Sequence, residues 1–442
     1  MQYLKIDNFA LTVCGLLQSV YENQACKILA RKNRFARRQI YFASMATGET
    51  HIENFATSAD CASTLQCLQQ LGVEIFRENT TVFIKGVGKK GLQKSEKPLD
   101  CGNSGTTVRL ISGILAGQNF DSVLIGDESL SKRPMRRIIE PLTQMGATIE
   151  SNENCLPLRI YGKNSLHAIS YDLPMASAQV KSCILLAGLN ADGETSVIEP
   201  TLTRNHTEKM LNFLGANLEI SDNRITVSGN AELTAKDLQI PSDISSAAFF
   251  LVAAACLKDS EIYIENVGLN PTRTAVLEVL INFGANIKIS NKKEVSGEII
   301  GDIRVKGHQN LIPKSNFNLL DGKIIANLID EIPILAIFGT QIEGGLGIRG
   351  ARELRFKESD RIASVVENLK RMNAKVEEFD DGFLVEKSNL KGATIDSFGD
   401  HRIAMAFAVA ALFAEGETEI IGAESAAVSF PEFFQILENV KK

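Results

Sequence analysis

One phrase recurs along the chain and limits its fold more than any other feature. An amphipathic helix closes on an apolar residue, Gly-Ala or a near equivalent follows, and an alternating strand begins. It stands as Leu71-Gly72-Val73-Glu74-Ile75, Met145-Gly146-Ala147-Thr148-Ile149, Leu214-Gly215-Ala216-Asn217-Leu218 and Phe283-Gly284-Ala285-Asn286-Ile287. A fifth copy, Met372-Asn373-Ala374-Lys375-Val376, has Asn for Gly. Gly and Asn tolerate the left-handed conformation that closes a helix. The Val/Ile/Leu alternation after them has the period of a half-buried strand. The spacing of roughly 70–90 residues is too long for a solenoid unit and fits a compact α/β subdomain used several times. With a final helix at 431–440, six such units account for the 442 residues.

Five helices along the chain are apolar nearly all round: 108–116, 180–189, 247–257, 332–338 and 403–413. Such helices are buried. They open on small polar residues: Gly102-Asn103-Ser104-Gly105-Thr106-Thr107, Ser177-Ala178-Gln179, Ser242-Asp243-Ile244-Ser245-Ser246, Asp330-Glu331 and Gly399-Asp400-His401-Arg402. Any one of these alone reads as ordinary capping. Five in matching places of a repeat point to a shared ligand cleft, because helix N-termini attract anions. Cations gather beside them at Lys132-Arg133-Pro134, Arg204-Asn205-His206, Lys357-Glu358-Ser359-Asp360-Arg361 and His401-Arg402. The four-residue spacing of Lys357 and Arg361 predicts one helical face, with Glu358 beside it. An ion-paired helix face explains one such string. The recurrence favours a small polyanionic ligand.

Composition removes other classes. The formal charge of -6 excludes a global basic field for nucleic acid. No apolar run reaches the ~18 residues of a membrane span. The N-terminus lacks a signal-peptide pattern, so a cytoplasmic location is expected. The eight cysteines are scattered and form no CxxC pair, which predicts free thiols rather than a disulfide framework or zinc ribbon. No GxxxxGK[ST] phosphate loop occurs. A transferase or lyase acting on phosphorylated, carboxylated compounds and a non-catalytic repeat scaffold both remain open at this point.

Longer strings narrow the choice. Leu99-Asp100-Cys101-Gly102-Asn103-Ser104-Gly105-Thr106-Thr107, Gly126-Asp127-Glu128-Ser129-Leu130, Lys132-Arg133-Pro134-Met135, 174–182, 203–208, Asp330-Glu331-Ile332-Pro333, 355–361 and Asp400-His401-Arg402 follow one another in a known order. From about Tyr41 to the end, the chain resembles the enolpyruvyl transferase family, in the branch that acts on shikimate 3-phosphate. The related branch acting on UDP-N-acetylglucosamine uses a loop cysteine, and 126–134 has none.

The resemblance implies an α/β fold of two domains, each of three repeated βαβαββ units around buried helices. It places residues 1–30 and 242–442 in a discontinuous first domain, 31–241 in a second, and the active site in the cleft between them. The implied reaction moves the enolpyruvyl group of phosphoenolpyruvate to the 5-hydroxyl of shikimate 3-phosphate and releases phosphate, on the route to chorismate and the aromatic amino acids. Glyphosate is the inhibitor of the phosphoenolpyruvate pocket. No metal or organic cofactor is implied, and a monomer is expected. By resemblance Asp330 takes the 5-hydroxyl proton, Glu358 handles the proton at the vinyl carbon, and Lys357 joins the catalytic set. Ser177, Gln179, Arg204 and Lys357 hold shikimate 3-phosphate. Gly105, Arg133, Arg361 and Arg402 hold phosphoenolpyruvate, with Gln179 near both. Arg38, Asn103, Ala178 and His401 complete the binding set.

One segment departs. The family signature Pro-Gly-Asp-Lys-Ser-Ile-Ser-His-Arg falls on Ala30-Arg31-Lys32-Asn33-Arg34-Phe35-Ala36-Arg37-Arg38, where only Arg38 matches. Codons AAA TCG ATT read one base later give Asn-Arg and then Phe or Leu, which suggests a compensated frameshift. A genuine variant using Lys32 is the other reading; in an extended segment its one-residue offset reverses the side-chain direction. The accompanying functional alternative is an impaired member that still binds shikimate 3-phosphate.

Overall fold

The computed structural model describes residues 3–6, 33–163, 165–307, 311–313 and 318–439. The chain divides into two compact units. One holds Lys32–Ile240 with the short segment Glu294–Glu298. The other holds Met1–Arg31, Pro241–Lys293 and Ile299–Lys442. Each encloses its own apolar core, one built from residues between Ala36 and Ile240, the other from residues between Ile244 and Leu437.

Eight helices matter for the site: α1 Asn33–Met45, α2 Gly105–Ala116, α3 Ala178–Gly188, α4 His206–Phe213, α5 Ile244–Cys256, α6 Ile332–Gly339, α7 Arg361–Arg371 and α8 His401–Ala410. Of these, α2, α3, α5, α6 and α8 are buried almost throughout, as their all-round apolar composition requires. Around them lie small mixed sheets of one recurring pattern. The strands Leu99–Asp100, Ser122–Ile125, Cys155–Tyr161 and Thr148–Asn152 form one such sheet in that spatial order. Its first pair is parallel and the others antiparallel. Two further four-stranded sheets repeat this order and these directions, and a third repeats the directions with Leu238–Gln239, the last of its strands in the chain, as the parallel edge. In the second unit, Tyr3–Ile6 runs antiparallel to Thr418–Ile421, so that sheet joins the two ends of the chain.

The recurring Gly-Ala phrase does what its composition predicts. Gly72, Gly146, Gly215 and Gly284 have φ of +85°, +89°, +103° and +91°, and Asn373 has φ of +61°. All five end a helix in the left-handed region, where a β-branched or bulky residue is strained.

One expectation fails here, and one conditional reading loses its premise. Lys357 and Arg361 do not share a helix. A 3-10 turn ends at Phe356, Lys357 is extended (φ -89°, ψ -153°), and α7 begins at Arg361. Asp360 is the reason: its carboxylate accepts from Ala363 N at 3.0 Å and starts the helix there. Nor is 33–38 extended, because it lies in α1. A one-residue offset there turns a side chain by about 100° rather than reversing it. Lys32 and the side chains of Asn33 and Arg34 lie outside the described residues.

Candidate active site

In the first unit the expected residues collect at two helix starts. Ser104 caps α2 by accepting from Thr107 N at 3.1 Å, and Ser177 caps α3 by accepting from Val180 N at 3.4 Å. Gln179 ties the two starts together. Its Nε2 donates to Thr106 Oγ1 at 2.9 Å, and its Oε1 accepts from Arg109 Nη1 at 2.7 Å. Arg133 reaches back to the loop before α2, donating to Asn103 Oδ1 at 2.7 Å and Ser129 Oγ at 3.1 Å. Asn103 in turn donates to Asp127 at 2.7 Å. Asn103, Gly105, Arg133 and Gln179 are thus brought together. Ala178 is the first residue of α3, and Arg204 is half-buried just ahead of α4. Arg38 is buried in α1.

Two residues of this cluster escape a reading of the sequence. Arg109 is the one charge in an otherwise uncharged α2, which is a usable signal. Arg37 donates to Asp60 and to the capping hydroxyl of Ser104. Nothing in its basic surroundings distinguishes it.

In the second unit the expected residues meet around Asp330, at the start of α6. Asp330 is buried. Its Oδ1 lies 3.8 Å from both Arg361 Nη1 and Arg402 Nε, and its Oδ2 lies 3.5 Å from Arg273 Nη1. Arg402 Nη1 also donates to the Asp330 carbonyl at 2.6 Å. Arg361 is fully buried and pairs with Asp400 at 2.7 Å and Glu358 at 2.5 Å. Burial opposes its charge, but Asp400 and Glu358 outweigh that, so its pKa is raised and it stays cationic. Arg361 Nη1 has no hydrogen-bond partner among the described residues. A buried donor left in that condition is costly unless a ligand completes it.

Lys357 pairs with Glu353 at 2.5 Å, and burial lowers its pKa despite that carboxylate. Asp400 caps α8 through Arg402 N at 2.8 Å while bracing Arg361. Its bracing part has no trace in the sequence, because the partners are 39 positions apart. Among the described residues no group of three His, Cys, Asp or Glu is placed to hold a metal, and no helix is long and apolar enough to cross a membrane. Cys61, Cys67, Cys101, Cys155, Cys183 and Cys256 are free thiols. Cys14 and Cys26 lie outside the described residues.

His401 carries a pH prediction. Burial pushes its imidazole down to about 4, with Asp400 and Glu358 opposing only in part. Between its ordinary 6.5 and about 4, the unfolded chain takes up a proton that the folded chain refuses. Stability should therefore fall as pH drops through that window, by up to about 3 kcal/mol. His401→Asn should flatten this slope in urea titrations run between neutrality and the lower limit; an unchanged slope assigns the effect elsewhere.

Buried arginines beside helix starts in repeated α/β modules are an arrangement suited to small anions. The chain belongs to the EPSP synthase (3-phosphoshikimate 1-carboxyvinyltransferase) family, whose model matches residues 28–437. It is 50% identical to the 3-phosphoshikimate 1-carboxyvinyltransferase of Solibacter usitatus, over 92% of this chain and 94% of that one. It is 48% identical to that of Thermodesulfovibrio yellowstonii, over 92% and 95%. An EPSP synthase structure from Acinetobacter baumannii superposes with a TM-score of 0.84 at 43% identity, over 93% of this chain and 94% of that one. The enolpyruvyl transferase NikO from Streptomyces tendae shares the fold, with a TM-score of 0.75 at 15% identity. The alternative of an impaired member finds no support among these relatives.

Proposed function

We propose that this chain transfers the enolpyruvyl group of phosphoenolpyruvate to the 5-hydroxyl of shikimate 3-phosphate. The reaction protonates carbon 3 of phosphoenolpyruvate, and the hydroxyl oxygen attacks carbon 2 and loses its proton. The tetrahedral intermediate then expels phosphate as carbon 3 gives a proton back. The observation that carries the reading is the buried Asp330 carboxylate facing three arginines at the start of α6. A carboxylate so placed is a base beside donors for anionic oxygens. In this assignment Asp330 takes the hydroxyl proton and Glu358 serves carbon 3. Ser177, Ala178, Gln179, Arg204 and Lys357 hold shikimate 3-phosphate, with Arg38 beside them. Gly105, Arg133, Arg361 and Arg402 serve phosphoenolpyruvate, and Asn103 and His401 complete the binding set. The free, largely buried thiols support a reducing cytoplasm. We take the working form to be a monomer, which gel filtration tests.

Arg133→Ala and Arg402→Ala should each weaken phosphoenolpyruvate far more than shikimate 3-phosphate. A lost charge-assisted contact costs about 1.5–3 kcal/mol, or roughly 10–150-fold in affinity. Equal losses for both ligands, read by calorimetry, contradict the assignment.

Gly105→Ala tests the same pocket more gently. An added Cβ would stand 2.9 Å from Arg109 Nη1 and 3.6 Å from Arg133 Nη1. Both are ends of flexible side chains, so the fold should survive while the guanidiniums shift. Glyphosate inhibition should weaken more than phosphoenolpyruvate use. If neither changes, Gly105 only opens the helix.

A further inference from the structure

The loop at residues 269–274 brings another buried cation to the start of α6. Arg273 is buried, and its loop is held by a turn in which Asn270 Oδ1 accepts from Thr272 N at 3.0 Å and the Asn270 carbonyl accepts from Arg273 N at 2.8 Å. Its guanidinium forks. Nη1 lies 3.5 Å from Asp330 Oδ2, and Nη2 lies 3.1 Å from Glu331 Oε1 and also donates to Ser245 Oγ. Ser245 belongs to the first turn of α5, so one side chain spans the starts of α5 and α6.

We infer that Arg273 is a positioning residue for Asp330, fixing which of two adjacent buried carboxylates faces Arg361 and Arg402; this rests on the enolpyruvyl-transfer reading. Asp330 and Glu331 are neighbours in sequence and both buried, and two such carboxylates repel unless a cation separates their tasks. Arg273 gives its shorter contact to Glu331, which serves as its counter-ion. Asp330 takes the longer one, which orients its carboxylate without a close pair to Arg273. Burial works against the charge of Arg273, and Glu331, Asp330 and Asp243 together overcome that. A lysine would place one point charge where the planar fork serves two acids and a hydroxyl.

Steady-state kinetics of Arg273→Gln and Arg273→Lys, with calorimetry of shikimate 3-phosphate, test this. Arg273→Gln should lose about 10–100-fold in kcat while KM for both substrates stays within about threefold, and shikimate 3-phosphate binding should be retained. Arg273→Lys should recover only part of the loss. A folded Arg273→Gln with unchanged kcat overturns the inference, and so does a kcat loss matched by lost binding capacity. If Arg273→Gln fails to fold, Arg273→Lys at full kcat overturns it instead. A crystal structure of Arg273→Lys tests the role independently of turnover. The Asp330 carboxylate should be displaced from Arg361 and Arg402; an unmoved Asp330 contradicts the positioning role even if the unmodified chain proves inactive, which would count against the transfer reading alone.

Discussion

Asp330→Asn is expected to lower kcat by roughly 10²–10⁴-fold, the usual worth of a positioned general base. Asn keeps the shape and can still meet Arg273 and Arg402 through its side-chain and backbone carbonyls. What it loses is the negative charge and the capacity to accept a proton. The surrounding arginines would then share one anion fewer, so anionic substrates should bind at least as tightly as before. The expected signature is therefore a large fall in kcat with KM unchanged or lowered. A variant that keeps full kcat would mean that Asp330 is only a counter-ion for the arginines, and that another group takes the hydroxyl proton.

The second large effect concerns stability. Lys181 is completely buried in α3 and pairs with Glu199 at 2.8 Å and Glu208 at 2.6 Å, both buried as well. Burial raises the pKa of Glu208 even with Lys181 beside it. Lys181→Met removes the cation of this trio and leaves two carboxylates in an apolar interior. Such an uncompensated charge costs about 3–5 kcal/mol. The cost should reach the candidate site, because Glu199 also accepts from Thr203 N at 3.2 Å and so shapes the loop that presents Arg204. Chemical denaturation should show the loss. Adding Glu199→Gln and Glu208→Gln to Lys181→Met should restore much of the stability, since the buried charges go with their partner. A single variant as stable as the unmodified chain would mean that water or backbone relaxation absorbs the charges.

What the sequence disclosed, and what it hid, follows from the range of each interaction. The left-handed Gly and Asn closures are local backbone chemistry, and φ at Gly72, Gly146, Gly215, Gly284 and Asn373 lies where the residue types require. The buried helices and the polar starts of α2, α3 and α8 are equally local, because period and capping residues sit within a few positions of each other. The failure at Lys357 is local too. Its helical spacing to Arg361 runs across Asp360, whose carboxylate begins the helix at that point. The non-local ties stayed hidden. Arg273 meets partners 28, 57 and 58 positions away, and Lys181 meets Glu199 18 positions away. Periodicity carries no trace of such pairs. Motif resemblance singled out Asp330 and Arg361 but gave no role to Arg273 and Asp400, the buried charges paired with them.

Enolpyruvyl transfer by this chain, with Asp330 as base and the arginines around it, is tested most directly by phosphate release from the purified protein, followed together with the mass of the organic product. With both shikimate 3-phosphate and phosphoenolpyruvate present, one phosphate should appear for each shikimate 3-phosphate consumed, alongside its carboxyvinyl ether. Omitting either substrate should abolish both signals. Absence of phosphate and ether from a folded chain that binds shikimate 3-phosphate would contradict it.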